Sequence, residues 1–505
     1  MNDATTAYHW CGPALQCRLE GVQQRSRALT LRFPHSDVPT PVFMPVGTHG
    51  ALKGLTYAQL NQSPINCRIL LGNTYHLGNR PGGRVLCRHS RRADPVAEGG
   101  LHGFTNWRRS VLTDSGGFQM VSLLKLASVT EQGVLFQHPA TGTRMMLTPE
   151  ESVLLQHKIS SDIIMALDDV VSSTRTNAGR FRVACQRTLR WIDRCVAAHR
   201  SAAAAHALHR GPAFQNLFGI LQGGLDVAPR GMREHCLSGM LKRDPALPGY
   251  AIGGLAGGES KDDFWRVVEF STRRGPGPRM GLPDAKPRYL MGVGYPVDVV
   301  VCSALGVDMF DSVFPTRTAR FGTAFVFDKR MAIGGGDCAI KLRHCDTSGH
   351  LGAVDETCAC MLCCRGACYY SRAYANQLLA RKVPIACQLI THHNITYMQR
   401  LVRSFRRTVM DTSLCEFIAF FVHECFPGRV VSIGAPGLRG PLPQHSGEKC
   451  VSLGKRKLLL RRGALEQHSD GPRSKRMRLQ KAPLAVPTSC PPWLQCALRS
   501  AGTGN

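Results

Sequence analysis

Short apolar runs that finish in Gly, Asp, Asn or Gln recur along the first 316 residues of the chain. They are PVFMPVG (41–47), RILLGNTY (68–75), SVLTDSGG (110–117), SDIIMALDD (161–169), NLFGILQGG (216–224), YAIGGLAGG (250–258), RYLMGVG (288–294) and VDMFDSVFPT (307–316). Continuous apolar runs of this length suit parallel strands buried on both faces. Between many of them, EESVLLQHKIS (150–160), RFRVACQRTLRWIDRCVAAH (180–199), MREHCLSGMLKR (232–243) and DDFWRVVEFSTRR (262–274) carry apolar residues at three- and four-residue spacing, the mark of an amphipathic helix. Thr148 before Pro149 and two glutamates reads as a capped helix start. Strand–helix alternation predicts a parallel α/β fold, and eight strands favour closure into a TIM-like (β/α)₈ barrel.

In such a barrel the loops at the carboxyl ends of the strands converge on one mouth. The polar residues that close the runs are therefore the first candidates: Asp114, Asp168, Gln222, Gly254 and Asp311. Singly, each also reads as a loop cap; together, ending five separate strands, they point to a site. Asp114 and Asp311 form the pair of interest. Two carboxylates across a sugar can exchange groups at an anomeric carbon, one attacking while the other handles protons, with metal-binding or structural roles as the alternatives. Ser115, Gly116 and Gly117 bring bare backbone beside Asp114, and Phe118 offers an aromatic face to a flat heterocycle. Asp168, Gln222 and Gly254 supply groups that can read the edges of a purine. There is no Walker-type loop, and the Gly253-Gly254 and Gly257-Gly258 spacing does not make a nucleotide fingerprint. Arg317 and Arg320, just after Asp311, are placed to clamp RNA phosphates or to make surface salt bridges.

Composition sharpens the partner. The 505 residues are 43% hydrophobic and 19% charged, which excludes wholesale disorder, and the formal net charge is +28. Fourteen Lys/Arg and three Asp/Glu fall after residue 427, so the remaining body is basic by itself, as a nucleic-acid partner requires. Residues 415–427 (CEFIAFFVHECFP) predict a last docking helix. From 428 to 505 the composition predicts a flexible basic tail. Its clusters KRKLLLRR (455–462) and RSKRMR (473–478) read as a nuclear address, an extra RNA contact or plain solvated charge.

The 21 cysteines are scattered, the amino terminus MNDATTAYHW has no leader pattern, and no apolar stretch of membrane-spanning length occurs. A soluble cytoplasmic protein with mostly reduced thiols is expected, nuclear entry through the tail being the alternative. Cys358-x-Cys360-x₂-Cys363, followed by His392-His393-Asn394, then reads as one structural zinc site, since three thiolates and an imidazole close a tetrahedron and leave no position for water. Cys364 and Cys368 compete for the third thiolate, and Cys345 is a further spare.

With these residues in view, the chain resembles the tRNA-guanine transglycosylase family in its eukaryotic catalytic form. The likeness rests on TPVFMPVGTHG, LLGNTYHL, VLTDSGGFQMVSL, MALDDVVSS, FGILQGG, IGGLAGGES, YLMGVG and MFDSVFPTRTARFGTA, with CACMLC and HHNITY, and covers about residues 19–410. The resemblance implies a barrel over 19–330, a zinc-binding subdomain with closing helices over 331–427, and exchange of guanine for queuine at the wobble position of GUN-anticodon tRNAs (Asp, Asn, His and Tyr). It implies Asp311 as nucleophile and Asp114 as general acid/base. Ser115, Phe118, Asp168, Gln222, Gly254 and Met291 would line the base pocket, and Gly257 would leave room for the larger eukaryotic base. Cys358, Cys360, Cys363 and His393 would hold the zinc. A heterodimer with a homologous accessory subunit, or a homodimer, would bind the tRNA; a non-catalytic accessory role is the alternative for the chain itself, against which both aspartates stand in intact motifs. The spacing between Cys363 and Ser371 departs from the family by about four residues, and 325–354 and the tail have no family counterpart.

Overall fold

Each of the eight apolar runs supplies one strand of a closed parallel barrel. The structure is a computed structural model and describes residues 9–12, 14–88, 99–117, 127–137, 142–210, 215–275, 280–327, 338–364, 370–426 and 490–502. The barrel strands are β1 (Val42–Gly47), β2 (Ile69–Gly72), β3 (Ser110–Thr113), β4 (Ile163–Met165), β5 (Asn216–Leu221), β6 (Tyr250–Ile252), β7 (Arg288–Leu290) and β8 (Met309–Ser312). Each pairs in parallel with its sequence neighbours, and β8 returns to β1 with Met309 opposite Val42 and Asp311 opposite Met44.

Alternation along the strands sorts inside from outside. Met44, Leu71, Leu112, Ile163, Met165, Phe218, Ile220, Ala251, Tyr289 and Met309 share one buried cluster, the lumen. Their neighbours Leu70, Val111, Ile164, Leu217, Leu221, Ile252, Leu290 and Phe310 belong to the outer cluster beneath the helices. The helices follow the predicted amphipathic stretches: α1 (Pro149–Ile159), α2 (Ala178–Arg210), α3 (Met232–Leu241) and α4 (Lys261–Thr272), then α5 (Pro296–Ala304) and α6 (Phe314–Arg320). At the start of α1, Thr148 Oγ1 accepts from Glu151 N at 3.1 Å while the Glu151 carboxylate accepts from Thr148 N at 3.0 Å, a reciprocal cap. Among the described residues no helix is long and apolar enough to cross a membrane.

One element was not expected. An antiparallel sheet of His9–Cys11, Gln16–Gln23, Ser26–Arg32 and Asp37–Pro39 precedes the barrel, and its Leu15, Cys17, Leu29, Leu31 and Phe33 join the lumen cluster. It meets the amino ends of the strands: Asn216 Nδ2 donates to Ala14 O, and His35 bonds Asp162 just before β4. Among the described residues this sheet covers the amino end of the barrel, opposite the carboxyl strand ends that carry Asp114 and Asp311.

The carboxyl-terminal part packs a hairpin (Thr323–Phe325 with Ala339–Lys341) and the long helix α7 (Pro384–Met410) against the barrel. The docking helix predicted at 415–427 appears as α8 (Leu414–Cys425). The expectation of a flexible tail from 428 to 505 needs correction at its far end, where α9 (Pro492–Ser500) is ordered on the barrel flank. Leu494, Ala497 and Leu498 form a buried stripe, and Arg25 Nη1 donates to Ser500 O at 3.4 Å. A short amphipathic stripe in a basic, Pro-rich context carries too weak a periodic signal to stand out.

The amino-terminal sheet is fastened to the barrel by a buried ion pair. Arg27 Nε donates to Asp308 Oδ1 at 2.9 Å and Nη2 donates to Oδ2, while the same carboxylate accepts from Arg288 N at 2.7 Å. Both side chains are essentially inaccessible. Losing Asp308 leaves Arg27 only two carbonyls and the more distant, partly exposed Asp284 carboxylate at 3.6 Å, so Asp308→Ala should cost about 3 kcal/mol in urea denaturation.

Candidate active site

The same alternation that fills the lumen aims the two aspartates. Asp311 lies two residues after Met309 and Asp114 two residues after Leu112, so both side chains follow lumen-facing residues at the open end. Asp311 Oδ1 accepts from the Tyr289 hydroxyl at 2.6 Å and from Gly292 N at 2.7 Å. Among the described residues Oδ2 accepts no hydrogen bond. Burial raises the Asp311 carboxyl above the ordinary aspartate range, and the two donors on Oδ1 oppose that rise.

Asp114 is held by the turn after β2. Asn73 Nδ2 donates to Oδ2 at 2.6 Å, and Thr74 N and Gly116 N donate to Oδ1 at 3.0 and 3.1 Å. Gly116 adopts φ +80°, a backbone state that glycine takes without strain and that turns its N–H back onto the carboxylate. Tyr289 ties the two acids together, since burial and the charges of both Asp311 and Asp114 push its hydroxyl far above the normal phenol range. Both carboxylates thus act on one phenol, which stays protonated.

A second group stands on β4, β5 and β6. Gln222 Nε2 donates to Asp168 Oδ2 at 2.6 Å. Burial, together with the neighbouring Asp169 charge, pushes the Asp168 carboxyl up to about 7 despite that bond. Asp169 is paired with Arg180 and Arg187. Gly254 has φ +69°, and a Cβ there would lie 2.6 Å from Gln222 Oε1, so only glycine brings main chain this close to the amide. The two groups adjoin: a Cβ on Gly117 would stand 2.8 Å from Leu167 Cδ1, immediately before Asp168. Ser115 is buried beside Asp114, its Oγ accepting from Gly117 N at 3.3 Å. Met291 follows β7 next to Gly292 and packs on the lumen cluster.

Gly257 lies on the exposed loop after β6, where a Cβ would come 2.6 Å from Ser173 Oγ, a hydroxyl bonded to Glu259 at 2.6 Å. Arg317 and Arg320 are exposed on α6, directly beyond β8. Phe118 lies outside the described residues. Asn73, Thr74, Tyr289 and Gly292 escaped the sequence reading. Strand parity was the available signal for Tyr289, the lumen residue of the strand next to Asp311.

Away from the mouth, Cys358, Cys360, Cys363 and His393 bring their ligand atoms within 4.8 Å of one another, all four buried. His393 Nε2 bonds Phe325 O at 2.6 Å, which places the ring proton there and leaves Nδ1 as the lone pair facing Cys360 and Cys363 Sγ, each at 3.3 Å. Three thiols converging on an unprotonated imidazole nitrogen are a donor set suited to a metal ion with no open position. Cys363 is therefore the third thiol; Cys364 is exposed, Cys368 lies outside the described residues, and His392 is not in the group. Most other cysteines are free, but Cys338 and Cys425 form a disulfide linking the hairpin to α8, an exception to the expectation of reduced thiols.

The sequence pattern of the family described as queuine tRNA-ribosyltransferase (TGT) matches residues 23–426. The chain belongs to this family. It is 45% identical over 418 residues to a queuine tRNA-ribosyltransferase catalytic subunit of Schizosaccharomyces pombe, covering 82% of this chain and 92% of that protein. The corresponding protein of Caenorhabditis elegans is 44% identical over 401 residues, covering 79% and 88%. A queuine tRNA-ribosyltransferase of Pseudoalteromonas atlantica is 37% identical over 407 residues, covering 81% and 97%. As a member of the TGT family the chain is a pentosyltransferase, and the match ends at α8, so α9 lies beyond it.

For the four-residue Cys/His group, elemental analysis should find about one metal ion per chain. Cys360→Ser should lower both metal content and melting temperature, because a closed site contributes its binding energy to folding.

Proposed function

We propose that this chain exchanges guanine for queuine at the wobble position of tRNAs for Asp, Asn, His and Tyr, through a covalent ribosyl intermediate on Asp311. The observation that carries the reading is the pair of acids at the open barrel end, one with an oxygen held by two donors and the other oxygen free of them. Asp311 Oδ2 attacks the ribose C1′ as the C1′–N9 bond of guanine breaks, and the electron pair leaves with the base. Asp114, in its protonated form, gives its proton to the departing base. Queuine then transfers its N9 proton to Asp114, and its N9 displaces Asp311 from C1′. Two displacements restore the original stereochemistry and return both acids to their starting states. Tyr289 and Gly292 stabilise the Asp311 carboxylate, and Asn73 with Thr74 holds Asp114 in place.

Asp168, Gln222, Gly254, Ser115 and Met291 form the base pocket in this reading, with Phe118 stacking. Gly257 keeps the loop over Ser173 thin, in keeping with the larger base. Arg317 and Arg320 contact RNA phosphates beside the nucleophile. The metal of the Cys358, Cys360, Cys363 and His393 group is zinc, one ion with a structural role. The relatives' description as a catalytic subunit favours a second, homologous accessory subunit over a homodimer. The non-catalytic alternative finds no support beside the intact acid pair.

Two measurements test the reading. Wild-type protein with tRNA should give a denaturation-resistant adduct and incorporate labelled guanine, and Asp311→Ala should lose both; an adduct that survives the substitution rules out this nucleophile. The second concerns Asp168. Its carboxyl is neutral below about pH 7, whereas a purine edge carrying N–H donors prefers the carboxylate. The KM for guanine should therefore fall as pH rises from about 6 to about 8, and Asp168→Asn should raise KM and flatten that dependence.

A further inference from the structure

Arg233 is fully buried at the start of α3, and the TGT-family reading gives it no role. Its guanidinium turns back toward the barrel end and donates from three nitrogens to three main-chain carbonyls. Nε reaches Gly224 O at 2.7 Å, Nη1 reaches Leu221 O at 3.0 Å, and Nη2 reaches Gly253 O at 2.7 Å. These carbonyls bracket Gln222 on one strand end and immediately precede Gly254 on the next. The approach is close: a Cβ on Gly254 would lie 3.4 Å from Nη2, and a Cβ on Gly223 would lie 2.6 Å from Arg233 N. Burial lowers the guanidinium to about 10, still charged at neutral pH, and among the described residues it forms no ion pair. A buried cation without a carboxylate in direct contact is costly, and here its hydrogen bonds go to three main-chain carbonyls, with the Glu259 charge acting from further away. The three bonds tie the loop after Leu221 to Gly253 on the neighbouring strand end.

We propose that Arg233 is a positioning residue for base recognition. Its planar fork locks the ends of β5 and β6 together, so that the Gln222 amide and the Gly254 main chain stand in register under the purine. The inference rests on the functional reading above, which assigns Gln222 and Gly254 to the base. Lysine cannot reproduce the function, because one ammonium cannot span three carbonyls set in a plane around a fork.

Arg233→Lys keeps the charge and loses the fork. It should raise the KM for guanine roughly tenfold or more, leaving the KM for tRNA and the kcat at saturating base within about twofold. A structural role alone would lower the melting temperature and the active fraction, with both KM values unchanged. Asp226→Ala provides a second route should Arg233→Lys not fold. Asp226 is exposed, and its Oδ2 accepts from Met232 N at 2.9 Å, anchoring the turn that carries Arg233. It should raise the guanine KM by a smaller factor, about threefold, again without moving the tRNA KM. Equilibrium dialysis of labelled guanine reads the same effect without turnover, separating a failure of the exchange reading from a failure of this one. An unchanged guanine affinity in folded Arg233→Lys, or in Asp226→Ala where the first does not fold, overturns the proposal.

Discussion

The mouth depends on ring closure between β8 and β1. Without the pairing of Met309–Ser312 to Val42–Pro45, Asp311 would sit on the edge of an open sheet, exposed and far from the turn that holds Asp114. Closure fixes the parity of every strand, and parity decides which side chains face inward. Among the described residues the amino-terminal sheet covers the other end of the ring. The buried Arg27–Asp308 pair joins that sheet to the residue just ahead of β8. The strand that carries Asp311 is thus fixed at its beginning by this pair and along its length by ring closure.

At the mouth, three aspartates of the same chemical type have been given different characters by their surroundings. Asp311 is buried but supplied with two donors on one oxygen, which opposes the rise that burial imposes. Asp168 is buried with one amide donor and an acidic neighbour, and so holds its proton to about neutral pH. Asp114 takes its place from a side-chain amide and two main-chain N–H groups. The Asp168–Gln222 pair is a hydrogen-bond system separate from those of Asp114 and Asp311, and Gly117 brings the Asp114 turn against Leu167, next to Asp168.

Much of this was legible before any coordinates. The eight apolar runs are the eight strands, because a strand buried on both faces must be apolar throughout, and its polar end marks where the interior stops. Asp114, Asp311, Asp168 and Gln222 were visible for that reason. Tyr289 was hidden inside such a run, where a phenol among leucine and methionine looks like core. Asn73 and Thr74 sat in a turn whose role is to hold a neighbour's carboxylate, a task that leaves no periodic trace. The amino-terminal sheet escaped because its strands mix charged and apolar residues, as in Gln16–Gln23, and lack the uniform pattern of barrel strands. The Cys/His spacing was the most direct signal, but the choice among Cys363, Cys364 and Cys368 required the fold of the loop.

The last connection runs through α7. His393 lends one nitrogen to the cysteines and the other to Phe325 O, while the next residue, Asn394, accepts from Phe325 N at 3.0 Å and donates to Pro315 O at 3.0 Å and Thr323 O at 2.9 Å. Pro315 belongs to α6, three residues beyond the end of β8. A single pair of adjacent side chains therefore rivets the sulfur cluster to the backbone that follows Asp311. Under the proposed function, losing an ion from the cluster would loosen the backbone on which Asp311 depends.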